Sequence, residues 1–407
     1  MALVSCGRLG YDATLLDVPV DAQGEAGDAS PGACTVTQVV DNRPLSVGYR
    51  HACMVRAGQI WCWGDNEFGQ LGIGEGALAV DQPVPMQVGT SDEWVAVVAG
   101  LRHTCALDCR RGLWCWGGND RGQLGNTTAI PGADSPVPVR VPGSKTWANL
   151  FAGRNHTCAV DVDGGLWCWG ANGAAQLGIG TQGGAADTGI PTQVVMDPPD
   201  PGSDNNWQQA GPGDDHTCAL KTDGSMWCWG SNANGQLGQD GGPVVRSRPN
   251  RVADMQSFAT VTSGLDASCA LDGADALFCW GRNTSGQLGT DGIQDEGFPR
   301  AVRPGVVWQD LSFGYEHVCG IQADGSLWCW GANAAGALGL GDTAVGVDQL
   351  APVQVGTETW EQVSVAQDYS CGIRAGEVWC WGEGAQGNLG NGSTDDLTAP
   401  NTVVTFP

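Results

Sequence analysis

Apolar and polar residues alternate over short runs along this chain, and the segment from Trp147 to Val195 shows the pattern most openly. Trp147-Ala-Asn-Leu-Phe151, His156-Thr-Cys-Ala-Val160 and Leu166-Trp-Cys-Trp169 read as three short strands. Between the second and third lies Asp161-Val-Asp-Gly-Gly165, which is hairpin-turn chemistry because Asp and Gly tolerate positive φ. A glycine-rich loop follows at 170–178, and Pro191-Thr-Gln-Val-Val195 can form an outer strand, where a missing N–H is tolerated. Side chains alternate along a strand, so Cys158 and Val160 share one face with Leu166 and Cys168. Ala159 shares the other face with Trp167 and Trp169. Each unit then offers a sulfur-and-aliphatic face to one neighbour and a two-tryptophan face to the other. Burying a side chain as large as Trp contributes roughly 2–3 kcal/mol or more, which assigns these rings to a core and not to a ligand platform.

The unit repeats. Trp-Cys-Trp-Gly stands at 61–64, 114–117, 167–170, 227–230, 328–331 and 379–382, and once as Phe-Cys-Trp-Gly at 278–281. The second Trp of each copy falls at 63, 116, 169, 229, 280, 330 and 381, giving steps of 53, 53, 60, 51, 50 and 51 residues. A period near fifty, built of short strands and glycine-rich turns, predicts an all-β, seven-bladed β-propeller of four-stranded antiparallel blades. Pro400–Phe406 has the outer-strand pattern, and Thr35–Val40 has a similar look ahead of Leu45–Val47. A ring must seal its first blade to its last, and residues 35–40 are expected to contribute there.

The cysteines follow the same frame. Each third strand carries one, with a partner nine or ten residues upstream: Cys53 with Cys62, Cys105 with Cys115, Cys158 with Cys168, Cys218 with Cys228, Cys269 with Cys279, Cys319 with Cys329, and Cys371 with Cys380. Where the spacing is nine the turn is the shorter Arg-Ala-Gly, at 56–58 and 374–376. The two Cys therefore stay opposite each other in every hairpin, close enough for a disulfide. Reduced core cysteines are the alternative, and metal ligation is disfavoured because no CxxC spacing occurs. Cys6, Cys34 and Cys109 fall outside the seven pairs; Cys34 and Cys109 are expected to pair with each other.

Composition narrows the setting. Nineteen Lys and Arg stand against 44 Asp and Glu, a formal charge of −25 that repels phosphate backbones and argues against nucleic acid. No run of eighteen apolar residues exists to span a membrane. Seventeen cysteines point to an oxidising compartment. Residues 1–34 read as an acidic tail or tether ahead of a propeller at 35–407, and a tether of this composition stays flexible. Met1–Gly7 resembles the end of a bacterial lipoprotein signal, in which Cys6 would be acylated; an unpaired N-terminal cysteine is the other reading.

Val98–Leu107, Phe151–Val160 and Trp229–Gly238 strongly resemble the repeat of the regulator of chromosome condensation family, with its Gly-x-x-His and Gly-x-Asn-x-x-Gly-Gln-Leu-Gly segments. The resemblance covers residues 46–407 and implies a seven-bladed propeller. The founding member is a guanine-nucleotide exchange factor for Ran that docks on nucleosomes. Strong acidity, a Cys pair in every blade and the lipoprotein-like start depart from it. The resemblance points instead to secreted bacterial propellers of the family that bind proteins, among them an inhibitor of β-lactamases.

Chemistry is sparse. All five histidines, His51, His103, His156, His216 and His317, occupy one repeat position, held by Ala267 in the fifth copy and Tyr369 in the seventh. This reads as a structural residue, hydrogen-bonding backbone at a strand start, in preference to a metal ring. Asp161–Gly164 faintly resembles a calcium loop but is accounted for by turn chemistry. No catalytic set stands out, so no enzyme and no cofactor is expected. The function expected is a monomeric, non-enzymatic, extracytoplasmic scaffold, secreted or lipid-anchored, for a protein with a basic surface; a glycan-binding propeller is the alternative. Recognition is expected in segments that do not repeat: the insertion at 196–206 with Asp197, Asp200 and Asp204, then Asp214 and Asp215, and a second stretch with Asp295, Glu296 and Phe298.

Overall fold

The computed structural model describes residues 43–91, 93–183, 186–196, 205–239, 244–252 and 257–407. Seven four-stranded antiparallel sheets follow one another, each built of four strands consecutive in sequence. The blades span residues 45–87, 94–140, 147–193, 207–251, 258–302, 308–359 and 362–404. In the third, the strands are Trp147–Ala152, His156–Asp161, Leu166–Gly170 and Thr188–Gln193. The outer strand starts three residues earlier than the Val-Val run suggests, because pairing begins with Thr188 opposite Gly170 and Val194 turns into the core. Cys6, Cys34, the 35–40 segment and Asp197, Asp200 and Asp204 lie outside the described residues.

Within each blade the second and third strands place Cys directly opposite Cys, as with Cys158 and Cys168. All seven pairs are disulfides, with Cα atoms 4.0–4.1 Å apart. The nine-residue spacing is met by a two-residue turn whose residues, Ala57 and Gly58, both have positive φ (52° and 77°), as a tight hairpin of this hand requires. Cys109, in the hairpin turn of blade 2, is also disulfide-bonded.

The alternation of faces is what joins the blades. Cys158, Val160, Leu166 and Cys168 of blade 3 form one core cluster with Trp207, Ala219 and Trp229 of blade 4. On the other side, Ala159, Trp147 and Trp169 pack on Cys105, Leu107, Leu113 and Cys115 of blade 2. The second Trp of every copy is fully buried. Its indole N–H donates across the junction to a carbonyl of the preceding blade's loop, as Trp229 does to Gln176 at 2.9 Å. Gly178 makes this approach feasible: its φ is +69°, and a Cβ there would sit 2.7 Å from the Trp229 Nε1.

Blade 1 departs from the pattern, and the departure closes the ring. In blades 2 to 7 an aromatic at or just before the start of the inner strand, Trp94, Trp147, Trp207, Phe258, Trp308 or Trp360, packs on the buried Trp, whereas blade 1 has Asn42 at the matching place in the sequence. Phe406, just past the last strand of blade 7, supplies the missing ring edge-on to Trp61 and Trp63 at 6.1 and 6.0 Å. Trp63 donates to the Asn388 carbonyl, Gln362 to that of Leu45, and the Tyr369 hydroxyl to that of His51. Phe406→Ala is expected to lower stability by about 2 kcal/mol, below the 3–5 of a fully buried ring because Phe406 is half-buried. Chemical denaturation of the variant checks this.

Candidate partner-binding face

The inner strands all end on one face of the propeller, at a glycine (Ala366 in blade 7) followed by two residues and then the histidine position. The glycine is demanded by crowding: a Cβ on Gly153 would lie 2.7 Å from His156 Cε1 and from the Gly213 carbonyl oxygen. The histidines do not hydrogen-bond backbone through Nε2, as the sequence suggested. Each reaches a hydroxyl of the next blade instead: His51 to Thr104, His103 to Thr157, His156 to Thr217, His216 to Ser268 and His317 to Ser370, at 2.8–2.9 Å. Thr104, Thr157 and Thr217 in turn donate to a glutamine carbonyl, so Nε2 carries the proton and donates. Burial pushes the five imidazoles down to about 3 for His51, His156 and His216 and about 4 for His103 and His317. They are neutral fasteners between blades. Among the described residues no group of three His, Cys, Asp or Glu is placed to hold a metal.

Seven inner-strand ends line a central channel walled by Val47, Ala99, Ala152, Pro212, Ser263, Phe313 and Val365. The residue after the glycine lines its mouth in six blades, as Tyr49, Leu101, Arg154, Asp214, Leu265 and Tyr315, and the next residue, Arg50, Arg102, Asn155, Asp215, Asp266, Glu316 or Asp368, follows on the same face. Tyr49 and Tyr315 meet with ring centroids 5.6 Å apart, and Arg154 bonds Asp214 at 2.7 Å while lying 5.5 Å over the Tyr315 ring. Charge is divided around the mouth. Blades 1–3 contribute Arg50, Arg102 and Arg154; blades 4–7 contribute Asp214, Asp215, Asp266, Glu316 and Asp368.

The acidic arc is strained electrostatically. Burial raises the Asp215 carboxyl, and Asp214 and Asp266 raise it further. Burial likewise raises Asp266 against the pull of Arg282, with Asp214 and Glu316 adding to the rise. Glu383 on the same face is raised by burial, Arg50 opposing and Asp368 adding. Burial works against the Arg154 cation, but Tyr315 and Asp214 outweigh it and hold the proton more tightly.

The residues singled out from sequence separate. Asp214 and Asp215 sit at the channel mouth. They do not continue the 196–206 insertion, because the six-residue strand Trp207–Pro212 lies between, about 20 Å long. Asn206 is instead beside a hairpin turn, where its carbonyl accepts from Thr222 N, at the other end of that strand. Asp295 holds its own loop, accepting from Asn283 N at 2.8 Å, as Asp81, Asp134, Asp187 and Asp348 do for their asparagines. Glu296 and Phe298 lie on an outer strand, Glu296 paired with Arg300 and Phe298 47% exposed. Of the pairs between Gly and His only Asp214-Asp215 stood out in the sequence, although all vary from copy to copy inside an otherwise repeated frame.

Residues 5–290 match the RCC1-like domain, and residues 275–321, 324–373 and 375–407 match the regulator of chromosome condensation (RCC1) repeat. The chain is 30% identical to the ultraviolet-B receptor UVR8 of Arabidopsis thaliana over 88% of its own length and 81% of the receptor's. It is 26% identical to the human regulator of chromosome condensation over 84% of each chain. Among solved structures, yeast RCC1 (Prp20) bound to Kap60 superposes with a TM-score of 0.76 at 21% identity, covering 96% of this chain and 91% of that one. These relatives are eukaryotic and lend nothing to a bacterial affiliation.

Proposed function

The chain belongs to the regulator of chromosome condensation repeat family, and from that premise we propose a non-enzymatic scaffold that binds a protein partner through the face around its central channel. One observation carries the reading: on a frame that repeats seven times, the residues that vary and carry charge lie between the glycine and the histidine position, on the face around the channel. Repeat proteins place recognition on such positions. Arg50, Arg102 and Arg154 on one side and Asp214, Asp215, Asp266, Glu316 and Asp368 on the other suit a partner whose larger patch is basic. Yeast Prp20, of the same fold, is itself seen bound to the protein Kap60. Seven disulfides favour an extracytoplasmic setting, secreted or lipid-anchored.

Glycan binding is the weaker reading. Three of the half-exposed tryptophans able to stack on a sugar are covered by cations: Lys145 lies 3.9 Å over Trp167, Arg303 4.2 Å over Trp328 and Arg374 3.9 Å over Trp379. The test is capture from a cell-envelope extract in parallel with a glycan array. Asp215→Lys with Asp266→Lys is expected to weaken capture of the protein about tenfold or more, chiefly through slower association at low salt. Capture that is indifferent to both reversals, or glycan binding in its place, sinks the assignment.

A further inference from the structure

The glutamines of the Gly-Gln-Leu-Gly loops show where their side-chain amides are aimed. Each uses Oε1 to accept a backbone N–H two residues earlier, as Gln70 does from Phe68, Gln176 from Ala174 and Gln236 from Asn234. That bond fixes the amide plane and turns Nε2 toward the face of the propeller. There Gln176 donates to Asp215 Oδ1 at 3.1 Å and Gln236 to Asp266 Oδ1 at 3.2 Å. Both acceptors occupy the residue just before the histidine position of the next blade. In blade 2 the Gln123 amide finds Asp120 Oδ1 at 3.0 Å instead.

Gln70 is held the same way and is wholly buried, yet its Nε2 has no partner. Glu67, which stands where Asp120 does, is exposed and leaves the amide unbonded. The position that supplies a carboxylate to Gln176 and Gln236 is Arg102 here. Arg102 is exposed, lies 4.4 Å over the Phe68 ring and forms no ion pair among the described residues. A buried donor without an acceptor is costly and rare in native proteins. At the junction of blades 1 and 2 the chain thus presents two donors at the place where the junctions after blades 2, 3 and 4 keep a carboxylate of their own.

We propose that this junction is a carboxylate-binding subsite, in which Gln70 Nε2 and the Arg102 guanidinium, held over the Phe68 ring, take an Asp or Glu side chain of the protein partner. The inference rests on the partner-binding reading above and sharpens it: the partner carries one acidic side chain beside its basic patch. Carboxylate is the ligand because Asp215 and Asp266 show that this glutamine geometry accommodates it within the chain. Arginine and a planar carboxylate complete the match, since the guanidinium fork offers parallel donors.

Two experiments on the full chain test it. A short peptide with one Glu, acetylated and amidated at its ends, is titrated while the side-chain amide resonances of Gln70 are followed, these being assigned by their loss in Gln70→Met. Saturable shifts with the Glu peptide and none with its Gln counterpart are expected; unmoved resonances overturn the proposal. Arg102→Asp rebuilds the pair seen at Gln176 and Asp215, so it is expected to raise the melting temperature while lowering partner capture about tenfold or more. A fall in melting temperature with capture unchanged overturns the subsite. Should capture respond to the Asp215 and Asp266 reversals alone, the face binds the partner and the subsite falls. Should the peptide shift Gln70 while no protein is captured, the subsite stands and the broader reading falls.

Discussion

Once unfolded and reduced, this chain is expected not to refold until its disulfides are restored. Each cross-link closes a loop of about ten residues, which in the chain-entropy model removes roughly 2.5–3 kcal/mol of denatured-state freedom. The seven loops do not overlap in sequence, so their contributions add, to roughly 20 kcal/mol. That exceeds the 5–15 kcal/mol by which domains are ordinarily stable. The fourteen sulfurs are also fully buried or nearly so, at 0–1% exposure, which keeps a reductant out of the native protein until a blade opens. Native protein should therefore resist reductant in buffer and lose its fold when reductant and denaturant are combined. The fluorescence of the buried tryptophans follows the transition, and peptide mapping under non-reducing conditions follows the bonds. A reduced and alkylated chain that regains native fluorescence on dilution would falsify this account. The same mapping identifies the partner of Cys109, expected to be Cys34.

How much of this was legible in the sequence depends on what repeats. The blades, their faces and the seven cysteine pairs follow from period-2 alternation and a period near fifty, both of which average over seven copies. Cys158 opposite Cys168 and Ala159 opposite Trp167 are local register, fixed by one hairpin. What repeats only across a junction was less visible. The histidines looked like partners for nearby backbone, but their acceptors lie 52 to 61 residues on, in the next blade. Phe406 could be read as part of an outer strand; nothing local says that it supplies the aromatic missing at Asn42, more than 350 residues earlier.

The candidate site was legible only in part for the same reason. Long insertions are conspicuous in a sequence, so 196–206 and the 291–300 stretch drew attention. Asp295 shows the weakness of that cue, since its carboxylate does the same loop-holding work as Asp81, Asp134, Asp187 and Asp348. The channel mouth and the face around it are made by residues at points distant in sequence, and only the closed ring brings Tyr49 to Tyr315 or Arg154 to Asp214. Such a site is a property of the ring, not of any one repeat.

The second large effect expected is acid lability, and it comes from the same inter-blade fasteners. In the unfolded chain a histidine titrates near 6.5; in the ring the five lie at about 3 to 4, because burial penalises the cation. Below pH 6.5 the unfolded chain binds protons that the folded one refuses, so stability falls with falling pH until the folded values are reached. Each histidine contributes a slope of about 1.4 kcal/mol per pH unit, or about 7 for five. Four carboxylates act in the opposite sense. Asp81, Asp215, Asp266 and Glu383 are raised by burial, so the native state takes their protons first and gains stability as pH falls through their folded values. That gain belongs to the carboxylate range, whereas the histidine loss begins two units higher, near pH 6.5. The denaturation midpoint should therefore drop steeply between pH 6 and 4.5 with the disulfides intact. His156→Gln with His216→Gln removes two of the five fasteners, so its baseline stability is expected to be lower but its pH slope only about three-fifths as steep. An equal slope in the two proteins would mean that other groups govern the acid transition.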